Sequence, residues 1–199
     1  MKLVLASKNP HKLREMQTIL SRLGMEVVLE SDVGVDVDVE ETGTTFAENA
    51  MLKARAVMER SGMAAIADDS GLMVDALDGA PGVYSARYGH LDSDQARTAY
   101  LLKNLEDVPA EKRSARFVSA IACVLPDGRT VTAQGTCEGE ILFAPRGENG
   151  FGYDPVFYVP ALGKTFAEAA PDEKNAVSHR GRALAAFEAA WKEKGYAHE

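Results

Sequence analysis

The sequence predicts an α/β fold, with a mixed β-sheet and flanking helices, and three observations support this. Short apolar runs typical of buried strands alternate with segments whose apolar residues recur at helical spacing. An Asp-Gly pair at 127–128, between two long segments typical of strands, predicts an antiparallel hairpin in mid-chain. The 199 residues are enough for one large domain or two closely joined lobes with a substantial core.

The N-terminal part begins with a strand and a helix. Residues 3–6 form a short apolar run, and Asn9 followed by proline is a good start for a helix that Gly24 ends. Residues 27–29 suit a second strand. Residues 33–39 alternate apolar and acidic side chains, which predicts a half-exposed strand.

The next segment contains a helix and two short strands. A capping box, Thr45-x-x-Glu48, predicts the start of a helix that runs to Gly62. Residues 64–67 predict a strand that ends at Asp-Asp-Ser-Gly, and residues 72–74 predict another. Five further elements are predicted: a helix from Ser93 to residue 105, hairpin strands over 117–125 and 129–142, a strand over 156–159 after a Gly-rich loop, and a helix over 178–194.

The charge is acidic and unevenly distributed. The chain has 30 acidic and 22 basic residues, and eight of the acids lie between Arg22 and Lys53, where no basic residue occurs. The net charge of −8 argues against binding a nucleic acid polymer or an anionic membrane, because both would be repelled. It is compatible with a small polyanion in a locally basic pocket. The acidic stretch is either a solvated loop or edge strand, or a source of carboxylates for a divalent cation.

The cysteines and the N-terminus predict a soluble cytoplasmic protein. Cys123 and Cys137 define no disulfide framework, and free thiols fit a reducing compartment. The N-terminal apolar run is too short for a signal peptide, and no stretch approaches the roughly 18 apolar residues that cross a bilayer. His90 and His198 are isolated, and no His or Cys cluster has zinc spacing.

Two candidate sites follow predicted strands. Ser7, Asn9 and Lys12 lie in a strand-to-helix turn, which is a suitable cradle for phosphate or simply a capped helix start; it lacks the glycines of a Walker loop. Asp69 and Ser70 follow the strand over 64–67, at the sheet edge where α/β sites collect. The alternative for them is a solvated turn.

Two more candidates lie near the C-terminus. In Phe151-Gly152-Tyr153-Asp154, glycines flank an aromatic ring, so that the ring could stack on a purine base. The alternative is a loop with its aromatic tucked beneath it. The segment from Lys174 to Arg180 gathers donor side chains, either for a ligand or as a solvated basic patch.

Six motifs occur in a fixed order along residues 3–190: Ser7-x-Asn9-x-x-Lys12, Glu40-Glu41-Thr42-Gly43-x-Thr45-Phe46-x-Glu48-Asn49-Ala50-x-x-Lys53-Ala54, Ala67-Asp68-Asp69-Ser70-Gly71-Leu72, Gly79-Ala80-Pro81-Gly82-x-Tyr84-Ser85-Ala86-Arg87, Phe151-Gly152-Tyr153-Asp154-Pro155 and Lys174-x-x-x-Ser178-His179-Arg180. This set resembles the inosine triphosphate pyrophosphatase family, also called XTP/dITP diphosphatases. The resemblance implies Mg²⁺-dependent hydrolysis of ITP, dITP and XTP to the monophosphate and pyrophosphate. It also implies that residues 1–199 form one elongated domain of two lobes enclosing a nucleotide cleft, and that the protein is a homodimer.

The resemblance also implies roles for individual residues. Asp69 would be the general base, with Lys53 as a second catalytic residue. Glu40 or Glu41 would hold Mg²⁺ together with Asp69, and Glu40 is slightly favoured. The residues expected to contact the substrate are Ser7, Asn9, Lys12, Ser70, Phe151, Gly152, Tyr153, Asp154, Lys174, His179 and Arg180. Donors from the last two would face the oxygen at C6 of a deaminated purine.

Two alternatives belong to other classes of protein. The first is a Maf-like pyrophosphatase acting on pyrimidine or modified nucleotides, although the Ser-Pro-Arg-Arg typical of that group is absent after the first strand. The second is a nucleotide-binding module that does not hydrolyse its ligand. A panel of nucleotide substrates separates the first alternative from the prediction, and replacement of Asp69 tests the second.

Overall fold

A computed structural model describes residues 1–196; residues 197–199, including His198, lie outside the described part. The helices are α1 (Pro10–Leu20), α2 (Phe46–Ser61), α3 (Asp94–Asn104), α4 (Pro171–Val177) and α5 (His179–Glu193). The strands are β1 (Lys2–Leu5), β2 (Glu26–Leu29), β3 (Ala65–Val74), β4 (Ser114–Val124), β5 (Thr130–Ile141), β6 (Phe157–Val159) and β7 (Lys164–Thr165). They form one sheet in the order β2-β1-β3-β4-β5-β6-β7. Because β1 pairs in parallel with β2 and β3, whereas β6 pairs antiparallel with β5 and β7, the predicted mixed α/β sheet is confirmed.

The residues group into two compact units. Unit 1 comprises Met1–Asp69, Ser119–Gly135 and the C-terminal segment from His179, and unit 2 comprises Ser70–Val118 and Thr136–Ser178. In the described part of the chain, no helix combines the length and the apolar character needed to span a membrane. The two cysteines are buried and are not joined by a disulfide, as predicted.

Each unit has its own hydrophobic core. In unit 1, Leu5 of β1 and Met16 of α1 are fully buried, and they belong to the same cluster as Phe187 and Trp191 of α5. In unit 2, three aromatic rings pack together in the core: the ring centroids of Phe117, Phe157 and Phe166 lie 4.6 to 5.9 Å apart. The apolar periodicity that predicted these strands and helices therefore corresponds to side chains that are buried within each unit.

Residues 33–39 were predicted as a strand, and this prediction is wrong. A short 3-10 turn covers Glu30–Val33, and the chain from residue 34 to residue 45 has no regular structure. Val35 is buried, whereas Asp36 and Asp38 are exposed. An irregular loop anchored by apolar residues thus gives the same alternation of apolar and acidic side chains as a half-exposed strand.

The strands predicted over 64–67 and 72–74 are one continuous strand, β3. Asp68 and Asp69 therefore lie in the interior of a strand and do not follow it. Carboxylates are tolerated at these buried positions because ammonium, guanidinium and hydroxyl groups bind them. Helix α4 was also not predicted; it begins at Pro171, which suits the first position of a helix.

Arg113 is a buried cation of unit 2 whose guanidinium donates to four backbone carbonyls, those of Leu105, Val108, Ile141 and Leu142. We expect Arg113→Met to lower the free energy of unfolding by about 3 kcal/mol or more, because buried carbonyls would lose their donors. Urea unfolding followed by circular dichroism measures the change.

Arg60→Met provides the control, because Arg60 lies exposed in the last turn of α2. We expect this substitution to change the free energy of unfolding by no more than about 0.5 kcal/mol. A loss below about 1 kcal/mol for Arg113→Met would show that the carbonyls find other donors.

Candidate active site

The turn before α1 is organised by its own side chains. The Ser7 hydroxyl accepts a hydrogen bond from the Asn9 N–H (3.1 Å), and the Asn9 side-chain oxygen accepts from the N–H groups of His11 (2.9 Å) and Lys12 (3.4 Å). The backbone N–H groups of Asn9, His11 and Lys12 therefore already have acceptors within the turn. The Lys12 side chain extends from this turn to β3, where its ammonium group contacts Asp68.

Asp68 of β3 gathers cationic side chains from three helices. Its Oδ1 accepts from the Ser119 hydroxyl (2.5 Å), and its Oδ2 lies 3.0 Å from Lys12 Nζ and 2.9 Å from Arg180 Nη2. Its backbone carbonyl accepts from the ammonium groups of Lys12 (3.1 Å) and Lys53 (3.3 Å). One strand position thus fixes charged groups of α1, α2 and α5.

Asp69, the next residue of β3, has one oxygen engaged and one available. Its Oδ1 accepts from Lys53 Nζ (2.8 Å), and the same nitrogen lies 3.0 Å from Glu41. The residue is 7% exposed, and its Oδ2 is buried without a hydrogen-bond partner among the described residues. A buried polar atom of this kind is compatible with a catalytic role or with a bound ion or water molecule.

The environment changes the acidity of these groups. Burial raises the pKa of the Asp69 carboxyl; the Lys53 ammonium opposes this rise, and Glu41 adds to it. Burial would lower the pKa of Lys53, but Asp69 and Glu41 outweigh burial, so that this pKa is raised. Lys53 therefore stays charged, and Asp69 is a stronger base than an exposed aspartate.

Glu41 lies in a loop that is tied to the first turn of α2. Two residues after Glu41, the Gly43 N–H donates to the Asn49 side-chain oxygen (2.8 Å), and the next two backbone N–H groups donate to Glu48 (2.7 and 3.2 Å). Glu40 is exposed. The structure therefore brings Glu41, and not the slightly favoured Glu40, to Lys53.

The carboxylates can be tested as metal ligands. Within residues 1–196, no group of three or more His, Cys, Asp and Glu side chains is arranged to hold a metal ion. Glu41 and Asp69 nevertheless contact the same ammonium group, and Asp69 Oδ2 has no partner in this part of the chain. Mg²⁺ commonly takes one or two carboxylates together with water and substrate phosphates. The donor set therefore fits Mg²⁺ held jointly by the protein and a phosphate.

In unit 2, a second group of predicted site residues surrounds Phe151. The buried Asp154 carboxylate accepts from the Phe151 N–H (3.0 Å) and from Lys174 Nζ (2.7 Å). That ammonium group lies 5.2 Å from the centroid of the half-buried Phe151 ring. Gly150 has φ +73°, and a Cβ there would overlap the Asp154 carboxylate. The loop is therefore held against this carboxylate, which fixes the position of the ring.

The following residues anchor the same loop. The Gly152 N–H donates to Asp94 (2.8 Å) at the start of α3, and the Tyr153 hydroxyl donates to the Ser85 carbonyl (2.7 Å). Burial raises the pKa of the Tyr153 hydroxyl, which therefore stays protonated. These bonds give Gly152 and Tyr153 a structural role, and their contact with a substrate stays a prediction.

The remaining predicted residues are Ser70, His179 and Arg180. Ser70 is half-buried on β3, and His179 is buried at the first position of α5. Arg180, the next residue, is 2% exposed and pairs with Asp68 and with Glu15 of α1. The solvated basic patch considered for this segment is therefore not what the structure shows.

Sequence reasoning assigned no role to Glu15, Asn49 and Asp94. Asn49 stands in one of the quoted motifs, but its bond to the loop before α2 has no signal in the pattern. Glu15 has the pattern of a surface residue on an amphipathic helix, although its partner is 165 residues away in the chain. Contacts of this kind depend on tertiary structure and have no local signature.

Comparison with known proteins shows which family and which relatives the sequence resembles. The model of the Ham1 family matches residues 3–190. A protein of Geobacillus kaustophilus named dITP/XTP pyrophosphatase is 52% identical over 192 residues, covering 96% of this chain and 94% of that protein. A protein of the same name from Thermus thermophilus is 51% identical over 193 residues, covering 97% and 93%.

Solved structures agree. The Staphylococcus aureus Ham1 protein superposes with a TM-score of 0.86 at 42% identity, covering 98% of this chain and all of that one. The Mycobacterium abscessus structure described as a nucleoside-triphosphatase or dITP/XTP pyrophosphatase has a TM-score of 0.75 at 51% identity, covering 94% and 98%. The similarity therefore extends over nearly the whole chain.

Proposed function

The chain belongs to the Ham1 family, as its match over residues 3–190 shows, and on that premise we propose that it hydrolyses ITP, dITP and XTP to the monophosphate and pyrophosphate. The family resemblance found in the motifs is thereby confirmed. The names of the curated relatives support this choice of substrates. The observation that carries the proposal is the buried Asp69 carboxylate, which has one oxygen on Lys53 and the other without a partner among the described residues.

The charges around Asp69 support a polyphosphate substrate bound with a cation. The ammonium groups of Lys12 and Lys53 can face phosphate oxygens, but each is already paired with a carboxylate. A triphosphate carries about four negative charges, so these groups alone cannot neutralise it. We assign Mg²⁺ to Asp69 and Glu41, where it would neutralise phosphate charge and favour ionisation of water.

The protein's own groups then perform the following steps. Asp69 accepts a proton from a water molecule as the water oxygen bonds to the α-phosphorus, and the bond from that phosphorus to the bridging α–β oxygen breaks. The electron pair of the broken bond leaves with pyrophosphate. Lys53 holds the Asp69 carboxylate in place, and the side chains of Lys12, Ser7 and Asn9 bind the phosphate chain.

For the base, we assign stacking to Phe151, with Asp154 and Lys174 framing the ring. Stacking of a base on an aromatic ring contributes about 1–3 kcal/mol. Deaminated purines carry an oxygen acceptor at C6 where adenine carries an amino donor, and a donor from His179 would favour the former. A mismatched buried polar pair discriminates by factors of roughly 10⁴. Ser70, Gly152 and Tyr153 remain proposed contacts.

A substrate panel tests the proposal. Pure protein with Mg²⁺ should release pyrophosphate from ITP and XTP at least about 100-fold faster than from ATP, GTP or dTTP. Preference for dTTP or modified nucleotides would favour the Maf-like alternative. Release of orthophosphate, equal rates on all five substrates, or binding without turnover would overturn the proposal.

Gly43→Ala should weaken the use of Mg²⁺. A Cβ at Gly43 would stand 2.5 Å from the Asn49 side-chain oxygen and 2.7 Å from Glu48 Cβ, so the loop that carries Glu41 must move. We expect the Mg²⁺ concentration for half-maximal rate to rise about tenfold, or about 1.4 kcal/mol. Rates measured over a Mg²⁺ titration give the result.

Thr42→Ala is the control for that titration, because Thr42 is an exposed residue of the same loop. It should leave the Mg²⁺ dependence within about twofold. If the Mg²⁺ concentration for half-maximal rate is the same for Gly43→Ala and the unmodified protein, Glu41 is not part of the proposed metal site.

We also propose that the protein is a cytoplasmic homodimer. The dimer is carried by the family resemblance, and the location is supported by the two buried cysteines, which are free thiols. Sedimentation equilibrium at micromolar concentration should give twice the mass of one chain, and a mass near that of one chain would overturn the dimer.

A further inference from the structure

We propose that Glu15 and Arg180 form a positioning pair that acts through Asp68 to hold Lys12 at the phosphate end of the substrate. The inference rests on the proposed function and deepens it. It gives the Arg180 side chain a role in binding the phosphates, through Asp68 and Lys12, and not a role in binding the base. It also gives a role to Glu15, a residue of α1 that no motif singled out.

The contacts of Arg180 support this assignment. Its Nε and Nη2 lie 3.3 and 2.9 Å from Asp68 Oδ2, and its Nη1 donates to Glu15. The side chain is 2% exposed, so three of its five N–H donors are committed to carboxylates in a buried environment. Turning this guanidinium toward a base would leave the buried Asp68 carboxylate and the half-buried Glu15 carboxylate without it, which is unfavourable.

The link to Lys12 is direct. Asp68 Oδ2 accepts from Arg180 and also lies 3.0 Å from Lys12 Nζ. Glu15 follows Lys12 by three residues on α1, so both side chains project from the same face of the helix. The pair Glu15–Arg180 thus fastens α1 at the turn that carries Lys12, while Asp68 fixes the ammonium group itself.

The position of Arg180 is fixed by close packing of α5 on β5. A Cβ at Gly135 of β5 would overlap the His179 carbonyl oxygen and the Ala183 backbone nitrogen, so that only glycine allows this approach. The first turn of α5 therefore lies directly against the strand. Arg180 projects from a rigid backbone, as a positioning residue requires.

The removal of the Glu15 charge should affect the binding of phosphate more than the chemical step. With Glu15→Gln, Arg180 keeps Asp68 but loses its ionic hold on α1, and Lys12 is less well placed. We expect KM for ITP to rise about tenfold and kcat to stay within about threefold. The ratio of kcat/KM for ITP to that for GTP should stay within about twofold, because the base contacts are untouched.

The experiment compares Glu15→Gln and Arg180→Lys with Glu188→Gln, a control in which a carboxylate on the outer face of α5 is neutralised. Steady-state kinetics with ITP and GTP are combined with calorimetric binding of inorganic tripolyphosphate, which needs no turnover. We expect tripolyphosphate to bind Glu15→Gln about tenfold more weakly than the control.

The outcomes separate the two proposals. A changed ratio of kcat/KM for ITP to kcat/KM for GTP, together with unchanged tripolyphosphate affinity, would overturn the inference. It would indicate that Arg180 contacts the base. Unchanged tripolyphosphate affinity in Glu15→Gln, or no binding to the unmodified protein, would also overturn it. If the unmodified protein hydrolyses no nucleotide but Glu15→Gln weakens tripolyphosphate binding, the positioning pair stands and the proposed function fails. Glu15→Gln alone decides the matter if Arg180→Lys does not fold.

Discussion

Asp69→Asn is expected to lower kcat for ITP by about 10³, within the range that loss of a general base gives. The amide has nearly the shape of the carboxylate, and its oxygen can still accept from Lys53, but it cannot take a proton from water. The substitution also removes one of the two carboxylate charges that are proposed to bind Mg²⁺. Because the phosphate and base contacts remain, nucleotide should still bind, with an affinity measurable by calorimetry.

The control for Asp69→Asn is Asp127→Asn, which neutralises an exposed aspartate at the hairpin turn and should leave kcat within about twofold. Pyrophosphate release under single-turnover conditions separates chemistry from product release. If Asp69→Asn retains more than about a third of the unmodified rate, Asp69 is not the base. A protein that binds nucleotide without turnover in either form would be the non-hydrolysing module.

Lys53→Met should lower kcat/KM by about 10²–10³. Lys53 contacts the Asp69 and Glu41 carboxylates and the backbone carbonyl of Asp68, so its loss leaves two like charges facing each other in a buried site. Breaking one partner of such a buried pair typically costs about 3–5 kcal/mol, and each 1.4 kcal/mol that reaches the transition state is about a factor of ten in rate.

The same substitution has a defined effect on the pH profile. Asp69 must be ionised to accept a proton, and the positive charge of Lys53 lowers its pKa, against the rise caused by burial. Without Lys53 this pKa moves up, and the rate falls at a higher pH as the solution is acidified. We expect Lys53→Arg to keep the profile close to that of the unmodified protein.

The control for Lys53→Met is Lys192→Met, which removes a lysine that is exposed on α5 and should change neither rate nor profile. Rates of pyrophosphate release across a pH series, at saturating and at low ITP, give both results. An acid limb that does not move in Lys53→Met would show that the charge of Lys53 does not set the pKa of the base.

Local signals predicted most of the secondary structure. The capping box at Thr45 and Glu48 predicts the first residue of α2 correctly, because both of its reciprocal hydrogen bonds form within the first turn. The hairpin and the strand–helix opening have similarly local causes. The predictions failed where local pattern and tertiary environment disagree. The alternating apolar and acidic residues 33–39 form an irregular loop. The polar pair Asp68-Asp69 lies inside a strand, because cationic side chains that are distant in sequence stabilise the two carboxylates there.

The candidate site was predictable in its parts but not in its connections. Residue type and motif order pointed to Lys12, Lys53 and Asp69, and the structure brings these together in unit 1. The choice between Glu40 and Glu41 depended on which side chain the loop turns toward Lys53, and sequence pattern carries no information on that. Arg180 was expected to act as a free donor because a basic residue at a helix start has no visible partner in the sequence.

The pairing of Asp68 with Arg180 has a consequence for how the enzyme is made. The two residues are 112 positions apart, and α5, which carries Arg180, is synthesised after every other helix of residues 1–196. Until α5 leaves the ribosome, the nascent chain contains a carboxylate destined for the interior without its guanidinium, a state that disfavours burial of the strand. A prematurely terminated chain lacking α5 would be without Arg180, and we expect it to hold Asp68 and α1 less firmly until synthesis of that helix is complete.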